Sequence, residues 1–327
     1  MDYFLNTTDE YHRHALETLG WELTVCNSLQ PKESPCRLLL RSNASFGKHL
    51  FEFLERHLPL ISLKRVLEVG GGLGYLMKDF LTLAPHVQAT MVEISPVLLQ
   101  KQREELAGLP VEFREMDFLS MPDSELDGFD LAILNENLGD FPTLVFGETA
   151  IPDCDHSVAG ALEKAADYKR RFSLEFSSAE TLNIGAIEAI EKLCVAGVPY
   201  IYLSEHSCEA SFYDRNYPHL SFGPSPGPEK ISLKGHYEYT IKFSHLERVA
   251  RSLGYRVMRG RYIDILPLGL NPKAQTALRA PAAATEKQEI IQQFFYDLHK
   301  YEYLLLLNKD KTKDMKSSEK NRTADVT

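Results

Sequence analysis

The sequence is short of the residues that build metal centres and disulfide frameworks. Its five cysteines are scattered over 327 residues, and no two of them have the Cys-x-x-Cys spacing. Cysteine-based zinc sites and disulfide-stapled folds are recognised by close, repeated cysteine pairs. The sequence therefore predicts no disulfide framework and no metal site.

Positive charge and long apolar runs are also scarce. Asp and Glu outnumber Lys and Arg by 46 to 36, which gives a net charge of −10. A chain with this balance has no general attraction for nucleic acid or for anionic lipid. The longest late apolar run, Tyr303 to Leu307, is far too short to span a membrane, and the acidic start of the chain lacks a signal-peptide pattern. We therefore expect a soluble, cytoplasmic protein without nucleic-acid or membrane partners.

What the sequence does contain is a glycine-rich turn between an apolar strand and a helix. The strand is predicted over Val66 to Val69, the turn carries Gly70, Gly72 and Gly74, and the helix is predicted over Tyr75 to Leu83. Such a turn lets a ligand approach the backbone closely and aims the first N–H groups of the helix at it. A dinucleotide-binding turn needs its third glycine at position 75, which is a tyrosine, so a nicotinamide-dependent oxidoreductase is disfavoured. A tight turn in another kind of α/β protein is the alternative.

Polar side chains end the next three predicted strands. Glu93 ends the first of them, 19 positions after Gly74, Asp117 ends the second, and Asn135 and Glu136 end the third. An acid at about this distance after a glycine turn is suited to the hydroxyls of a ribose. Each of these residues alone has a simpler interpretation as a solvated strand end or a helix cap. Together with the first strand, which carries Glu68, there are four strands with polar tips at β-α-β spacing, and this favours one ligand site.

The run from Glu68 to Gly74 has the pattern Glu-x-Gly-x-Gly-x-Gly, which resembles motif I of the class I S-adenosylmethionine (SAM) methyltransferases. The resemblance implies SAM as cofactor and an α/β, Rossmann-like class I methyltransferase fold: a mostly parallel seven-stranded sheet with helices on both faces, an N-terminal helical segment and insertions. SAM carries an ammonium and a sulfonium, which suit an acidic residue better than a pyrophosphate does. The residues expected to bind SAM are Glu68 near its ammonium, Gly70, Gly72 and Gly74 along its methionine part, Glu93 at the ribose, Asp117 at the adenine amino group, and Asn135.

A narrower resemblance is to the MidA-like methyltransferases. It is carried by Glu68 to Asp79, Val92 to Leu98, Asn135 to Pro142, Tyr239 to Leu246 and Ser42 to Gly47. That family includes a mitochondrial protein arginine methyltransferase that acts in the assembly of respiratory complex I, so the resemblance implies a nitrogen acceptor such as protein arginine. The sequence departs from the family at Gly139, where the family has an aspartate, and at Glu205-His206, where it tends to have Asp-Tyr-Gly.

The residues expected around the transferred methyl group are Asn135, Glu136 and Asp140. A carboxylate such as Glu136 can pair with a guanidinium through two hydrogen bonds and orient the attacking nitrogen. The structural alternative for Glu136 is a cap or a surface salt bridge, and for Asp140 it is a loop cap before Pro142. Glu205-His206 follows a fifth predicted strand and is either a substrate contact or base, or a structural pair.

Composition and periodicity divide the chain into four parts. Residues 1–60 are predicted to be a helical segment, and residues 61–268 are predicted to be the SAM-binding domain, with a helical insertion over about 143–195. Residues 269–308 are predicted to be a linker followed by a C-terminal helix from Glu286 to Leu307. Residues 309–327 are predicted to be a disordered tail. A helix is predicted from Tyr11 to Leu19.

Three classes of function stay open at this stage. The leading one is a SAM-dependent methyltransferase acting on a nitrogen acceptor, with protein arginine as one example. The others are a small-molecule O- or N-methyltransferase and a non-catalytic protein of the same fold that binds partners. The motifs typical of DNA base methylation, Asn-Pro-Pro-Tyr and Pro-Cys, are absent from the sequence. The sequence does not decide the oligomeric state.

Overall fold

A computed structural model describes residues 3–15, 24–147, 155–177 and 179–311, and its centre is a seven-stranded sheet. The strands in chain order are β1 (Tyr3–Asn6), β2 (Arg65–Val69), β3 (Gln88–Glu93), β4 (Val111–Glu115), β5 (Leu131–Asn135), β6 (Thr143–Phe146), β7 (Tyr200–His206), β8 (Lys230–Ser232), β9 (Tyr237–Tyr239), β10 (Tyr255–Arg261) and β11 (Tyr301–Asn308). The order in the sheet is β10-β11-β7-β5-β2-β3-β4. Only β11 runs against its neighbours, so the expected mostly parallel, Rossmann-like sheet is confirmed.

Helices cover both faces of this sheet. They are α1 (Val25–Ser28), α2 (Phe46–Glu55), α3 (Tyr75–Leu83), α4 (Pro96–Glu105), α5 (Asp123–Leu126), α6 (Asp155–Phe172), α7 (Ile184–Val195), α8 (Phe243–Ser252), α9 (Tyr262–Ile265), α10 (Pro272–Arg279) and α11 (Glu286–Lys300). Successive strand residues alternate between the two apolar cores: Val66 packs with one cluster and Leu67 with the other. No helix in the described part of the chain is both long enough and apolar enough to cross a bilayer.

The local signals read from the sequence place the strand ends together. Gly74 adopts a left-handed conformation with φ of +81° and begins α3. Pro96 begins α4, and the hydroxyl of Ser95 accepts from the backbone N–H of Leu98 at 3.3 Å. Since β2 to β5 and β7 are parallel, their carboxyl ends meet at one edge of the sheet.

The predicted C-terminal helix is wrong beyond Lys300. The chain leaves α11 there, and β11 enters the sheet antiparallel between β10 and β7. Residues Tyr301 to Leu307 are buried, because both faces of this strand are covered. A short, uniformly apolar run has no period that separates a buried strand from a buried helix, and here the open place in the sheet decides.

Two further segments differ from the prediction. Residues 1–60 are not wholly helical, because β1 pairs antiparallel with β6, at the start of the region predicted as a helical insertion. The linker predicted over 269–285 contains α10, whose first turn is capped by the side chain of Asn271 and begins at Pro272.

Other predicted boundaries fall partly beyond the described residues. The helix predicted from Tyr11 to Leu19 is helical over Tyr11–Ala15, and residues 16–19 lie outside the described residues. The predicted tail lies outside them from residue 312 onward.

Candidate active site

A cavity of about 520 Å³ lies at the carboxyl edge of the sheet. Its floor is formed by the glycine turn and by the ends of β3, β5 and β7, and its other walls by residues 7–13, 24–27, 231–238 and 293–301. All the predicted site residues except Gly74 line it: Glu68, Gly70, Gly72, Glu93, Asp117, Asn135, Glu136 and Asp140. The structure therefore brings them to one place, whereas Gly74 lies behind the turn, against Leu106.

The glycine turn requires glycine at its first position. Gly70 has φ of +60°, and a Cβ atom there would lie 2.6 Å from Nδ2 of Asn137. That amide nitrogen donates a hydrogen bond to the carbonyl of Val69, so it holds the turn from above. Sequence reasoning missed Asn137, although it lies inside the Asn135 to Pro142 segment.

Two buried acceptors at this turn suit a cationic ligand. Oε2 of Glu68 and Oδ1 of Asn137 have no hydrogen-bond partner among the described residues, and both side chains line the cavity. Burial, followed by the charge of Glu93, raises the pKa of Glu68 to about 8. Unpaired buried acceptors are costly, and the N–H groups of an ammonium are donors that suit such oxygens. The site therefore fits the amino-acid end of SAM.

Glu93 is fixed at the end of β3 by neighbours on its own crossover. Its carboxylate accepts from the backbone N–H of Ser95 and from Nε2 of Gln102, each at 3.1 Å. Gln102 also donates to the carbonyl of Gly72 at 3.0 Å, which ties this acid to the glycine turn. Burial raises the pKa of Glu93 to about 7. A rigid carboxylate beside the turn fits the predicted ribose contact.

Asp117 caps the turn that follows β4. Its side chain accepts from the backbone N–H of Leu119 at 2.9 Å and from the hydroxyl of Ser120 at 3.2 Å, and it lines the cavity. The simpler cap function is thus present, and the predicted adenine contact would use the same carboxylate.

Glu136 connects the end of β5 to the N-terminal segment. Its carboxylate accepts from the backbone N–H groups of Val25 at 2.7 Å and Cys26 at 3.1 Å, at the first turn of α1. Its backbone has φ of +56°, which is rare outside glycine. Burial raises its pKa to about 7, against the opposing effect of these hydrogen bonds. Both oxygens are therefore engaged in holding α1 over the cavity.

Asn135 is part of a buried polar network. Its Oδ1 accepts from the hydroxyls of Tyr262 at 2.9 Å and Ser204 at 3.0 Å, and its Nδ2 donates to Glu136 at 3.1 Å. This network fixes the end of β5, from which Asn135 lines the cavity.

Asp140 contacts two histidines that sequence reasoning missed. Its Oδ1 lies 2.9 Å from Nε2 of His12 and 3.8 Å from Nε2 of His236. Burial raises the pKa of Asp140, but the hydrogen bond and charge of His12 outweigh it and hold this pKa below its usual value. No sequence pattern links residues 12, 140 and 236, so only the fold reveals the group.

Glu205-His206 is held by the C-terminal elements. Glu205 accepts from the backbone N–H of Gly139 at 3.3 Å and of His206 at 2.8 Å. The His206 ring packs on Tyr301, with centroids 3.9 Å apart, and its Nε2 lies 3.4 Å from Asp297. Burial lowers the pKa of His206, but Asp297 raises it more, so the pKa is above its usual value. The cavity is lined by Glu205, His206, Asp297 and Tyr301.

The lining of the cavity is strongly acidic. Among its described residues are nine carboxylates, and Arg13 is the one Lys or Arg. Three carboxylates, Glu68, Glu93 and Asp117, lie on the side predicted to bind SAM. The remaining six are Asp9, Glu136, Asp140, Glu205, Glu238 and Asp297.

Comparison with known proteins identifies the segment that carries the glycine turn. Residues 66–147 match the family model of a methyltransferase domain. The match covers about a quarter of the chain and includes every residue predicted to contact SAM. No curated protein matches the chain.

Solved structures with similar folds have little sequence in common with this chain. An uncharacterized protein from Burkholderia thailandensis is 14% identical, with a TM-score of 0.48 over 80% of this chain and 79% of that one. An S-adenosylmethionine dependent methyltransferase from Mesorhizobium loti is 12% identical, with a TM-score of 0.43 over 80% and 98%. The CcbJ methyltransferase from Streptomyces caelestis is 12% identical, with a TM-score of 0.42 over 80% and 89%. Because all three TM-scores lie below 0.5, these structures add nothing to the family match.

Proposed function

We propose, from the premise that residues 66–147 are a methyltransferase domain with SAM as its cofactor, that the chain transfers the methyl group of SAM to a nitrogen atom of an amine or guanidinium acceptor. The observation that carries the proposal is the excess of acidic residues in the cavity lining. Beyond the three acids predicted to contact SAM, six Asp and Glu residues line the cavity against a single arginine, and this excess favours a cationic acceptor.

The same carboxylates suit the chemistry of nitrogen methylation. SAM supplies a methyl group on a sulfonium. An ammonium acceptor gives its proton to a carboxylate of the lining before its nitrogen attacks the methyl group, and a guanidinium gives one up as the new bond forms. The transfer leaves the sulfur neutral and the methylated acceptor positively charged. Carboxylates fixed around that nitrogen stabilise the charge as it develops there. They also hold the acceptor in line, which is the main requirement of this reaction.

Protein arginine stays a proposal within this nitrogen class, as does membership of the MidA-like family. The two-bond pairing predicted for Glu136 has a competitor, because its oxygens already accept from Val25 and Cys26. Asp297 and Glu238 line the same space and offer carboxylates from other elements. The cytoplasmic location and the lack of nucleic-acid or membrane partners likewise stay predictions from composition.

The size of the cavity favours a small acceptor or a single side chain. A volume of about 520 Å³ must hold both SAM and the reacting group, and pockets of 300–1,000 Å³ typically hold one drug-sized ligand. Residues of the segments 7–13 and 24–27 contribute to the lining of this space. A small-molecule amine is therefore the second candidate beside a protein side chain.

Labelling with SAM tests the proposal. The purified chain is incubated with methyl-labelled SAM and a cell extract divided by ultrafiltration into large and small molecules. We expect label in an N-methyl product that survives mild base and is identified by mass spectrometry. The fraction that carries the label distinguishes a protein from a small-molecule acceptor.

The Glu93→Ala variant is the control, since it should lose labelling with the loss of SAM binding. A base-labile methyl ester or an O-methyl ether as the sole product would contradict the nitrogen assignment. SAM binding without transfer to any fraction would favour the partner-binding alternative.

A further inference from the structure

Two imidazoles and a carboxylate converge at the rim of the cavity. His12, on the helical turn Tyr11–Ala15, His236, just before β9, and Asp140, after β5, place one ligand atom each within 4.8 Å of one another. We propose that His12, Asp140 and His236 form a binding site for one divalent transition-metal ion, beside which Glu238 hydrogen-bonds to His236. No metal site is predicted by the sequence, because these residues are far apart along the chain.

The distances are close to those of a coordination sphere. Metal–nitrogen and metal–oxygen bonds of about 2.0–2.2 Å place neighbouring ligand atoms about 3 Å apart. Nε2 of His12 lies 2.9 Å from Oδ1 of Asp140. Nε2 of His236 lies 3.8 Å from the same oxygen, a gap that closes with a shift of less than 1 Å. The ligand atoms of the two histidines lie within 4.8 Å of each other.

Charge favours a cation at this point. Two carboxylates face two imidazole nitrogens in a place where the side chain of His236 is only 4% exposed and that of His12 12%. Among the described residues that line the cavity, Arg13 is the one lysine or arginine. A divalent cation at this point would be held by a carboxylate and by imidazole nitrogens, which is a usual composition of a transition-metal site.

Residues that offer no ligand atom hold the three ligands in place. The ring of Tyr11 stacks on His236 with centroids 4.1 Å apart. Gly235 allows this approach, since a Cβ atom there would lie 2.9 Å from Cε2 of Tyr11. The hydroxyl of Thr8 donates to the backbone carbonyl of Asp140 at 2.9 Å. Such outer contacts fix the orientation of metal ligands in characterised sites.

The arrangement suits a metal better than it suits a catalytic base. Nδ1 of His12 is buried, and Nε2 points at Asp140, so neither nitrogen is presented to an acceptor in the cavity. Two imidazoles with one or two carboxylates are typical of Zn²⁺, Fe²⁺ and Mn²⁺ sites. Since His12, Asp140 and Glu238 line the cavity, an ion here borders the space for the acceptor.

Cobalt is the probe for this site, because bound Co²⁺ is visible by its absorption. The tag-free full-length chain is titrated with Co²⁺ and followed by visible spectroscopy and equilibrium dialysis. We expect one Co²⁺ per chain, displaced by Zn²⁺, and at least a tenfold loss of affinity in the His236→Ala variant. His14→Ala is the matched control: His14 lies on the same helical turn, is 70% exposed and faces Glu10. It should bind Co²⁺ like the parent.

A second variant separates ligand loss from misfolding. Asp140→Asn keeps the shape of the side chain but removes its charge, and it should also lose Co²⁺ affinity while SAM binding persists. Absence of saturable Co²⁺ binding by the parent would overturn the proposal. The proposal would also be overturned if the parent, His236→Ala and Asp140→Asn bound Co²⁺ with equal affinity. A loss of Co²⁺ affinity in His14→Ala as large as in His236→Ala would overturn it as well. Because the readout is metal binding, its outcome is independent of whether the acceptor is a nitrogen.

Discussion

The two sides of the cavity are built in different ways. On the cofactor side, the acids are held by their own turns: Glu93 accepts from Ser95 and Asp117 from Leu119, each two residues away. On the acceptor side, Glu136 accepts from a residue 111 positions earlier, and Asp140 pairs with His12, 128 positions earlier. One side is thus a property of local segments, and the other exists only in the completed fold.

This difference predicts different responses to substitution. A variant on the cofactor side should change SAM affinity while the fold persists, because Glu93 and Asp117 are held by hydrogen bonds within their own turns. A variant on the acceptor side should change the stability of the N-terminal segment, because there the carboxylates connect distant parts of the chain.

The largest effect is expected at the ribose contact. Glu93→Ala removes the carboxylate proposed to accept from two hydroxyls, and hydrogen bonds to charged groups contribute about 1.5–3 kcal/mol each. We expect SAM affinity to fall by more than about a hundredfold, measured by calorimetry.

Glu115→Ala is the control, because Glu115 lies opposite Glu93 in the adjacent strand but is exposed. It should bind SAM like the parent. If Glu93→Ala bound SAM with unchanged affinity, the assignment of Glu93 to the ribose would be wrong. The contrast between a locally built cofactor side and a fold-dependent acceptor side would then lose its main support.

That local character explains how much was predictable. The glycine turn and the acids at 93 and 117 were identified because strand, turn and helix signals lie within a few residues of each site residue. The same signals predicted the strands of the central sheet from β2 to β7. Its last strand was missed, since Tyr301 to Leu307 has no period of its own and becomes a strand because β7 and β10 leave a place between them.

The acceptor side was predictable only where it touches the motif segment. Glu136 and Asp140 were named because they follow β5, but their partners were not. His12 and His236 are single histidines in unrelated segments, and their convergence depends on the packing of Tyr11 against Gly235. No local pattern encodes such a contact.

The next largest effect is expected at Glu136. Glu136→Ala leaves the N–H groups of Val25 and Cys26 without their acceptor, which should lower the free energy of unfolding by about 2 kcal/mol. Urea denaturation measures this change, and limited proteolysis should show earlier cleavage near α1. Glu136→Gln, which keeps one acceptor oxygen, should lose about half as much. A large loss of SAM affinity with unchanged stability would instead place Glu136 on the cofactor side.

A smaller effect, dependent on pH, is expected at Glu68. Its pKa of about 8 means that the unliganded carboxyl holds its proton at neutral pH, and a cationic ligand would drive that proton off. Because the proton competes with the ligand below this pKa, the contribution of Glu68 to SAM affinity should increase as the pH rises towards 8. Calorimetry of parent and Glu68→Gln should show affinities that diverge by up to about tenfold over one pH unit. If SAM binding released the same number of protons from the parent and from Glu68→Gln, the proton would not come from Glu68, and this prediction would be wrong.

The smallest effect is expected at Asp117, where both functions of one side chain can be separated. Asp117→Asn keeps an oxygen that can accept from Leu119 but weakens a contact to the adenine amino group, so SAM affinity should fall by about fivefold. A ligand that lacks the adenine amino group and has only hydrogen in its place, such as the unsubstituted-purine analogue of SAM, should bind parent and variant equally. If the substitution lowers the affinity for the analogue as much as the affinity for SAM, it acts through the cap that shapes the turn after β4. The adenine contact would then belong to another residue.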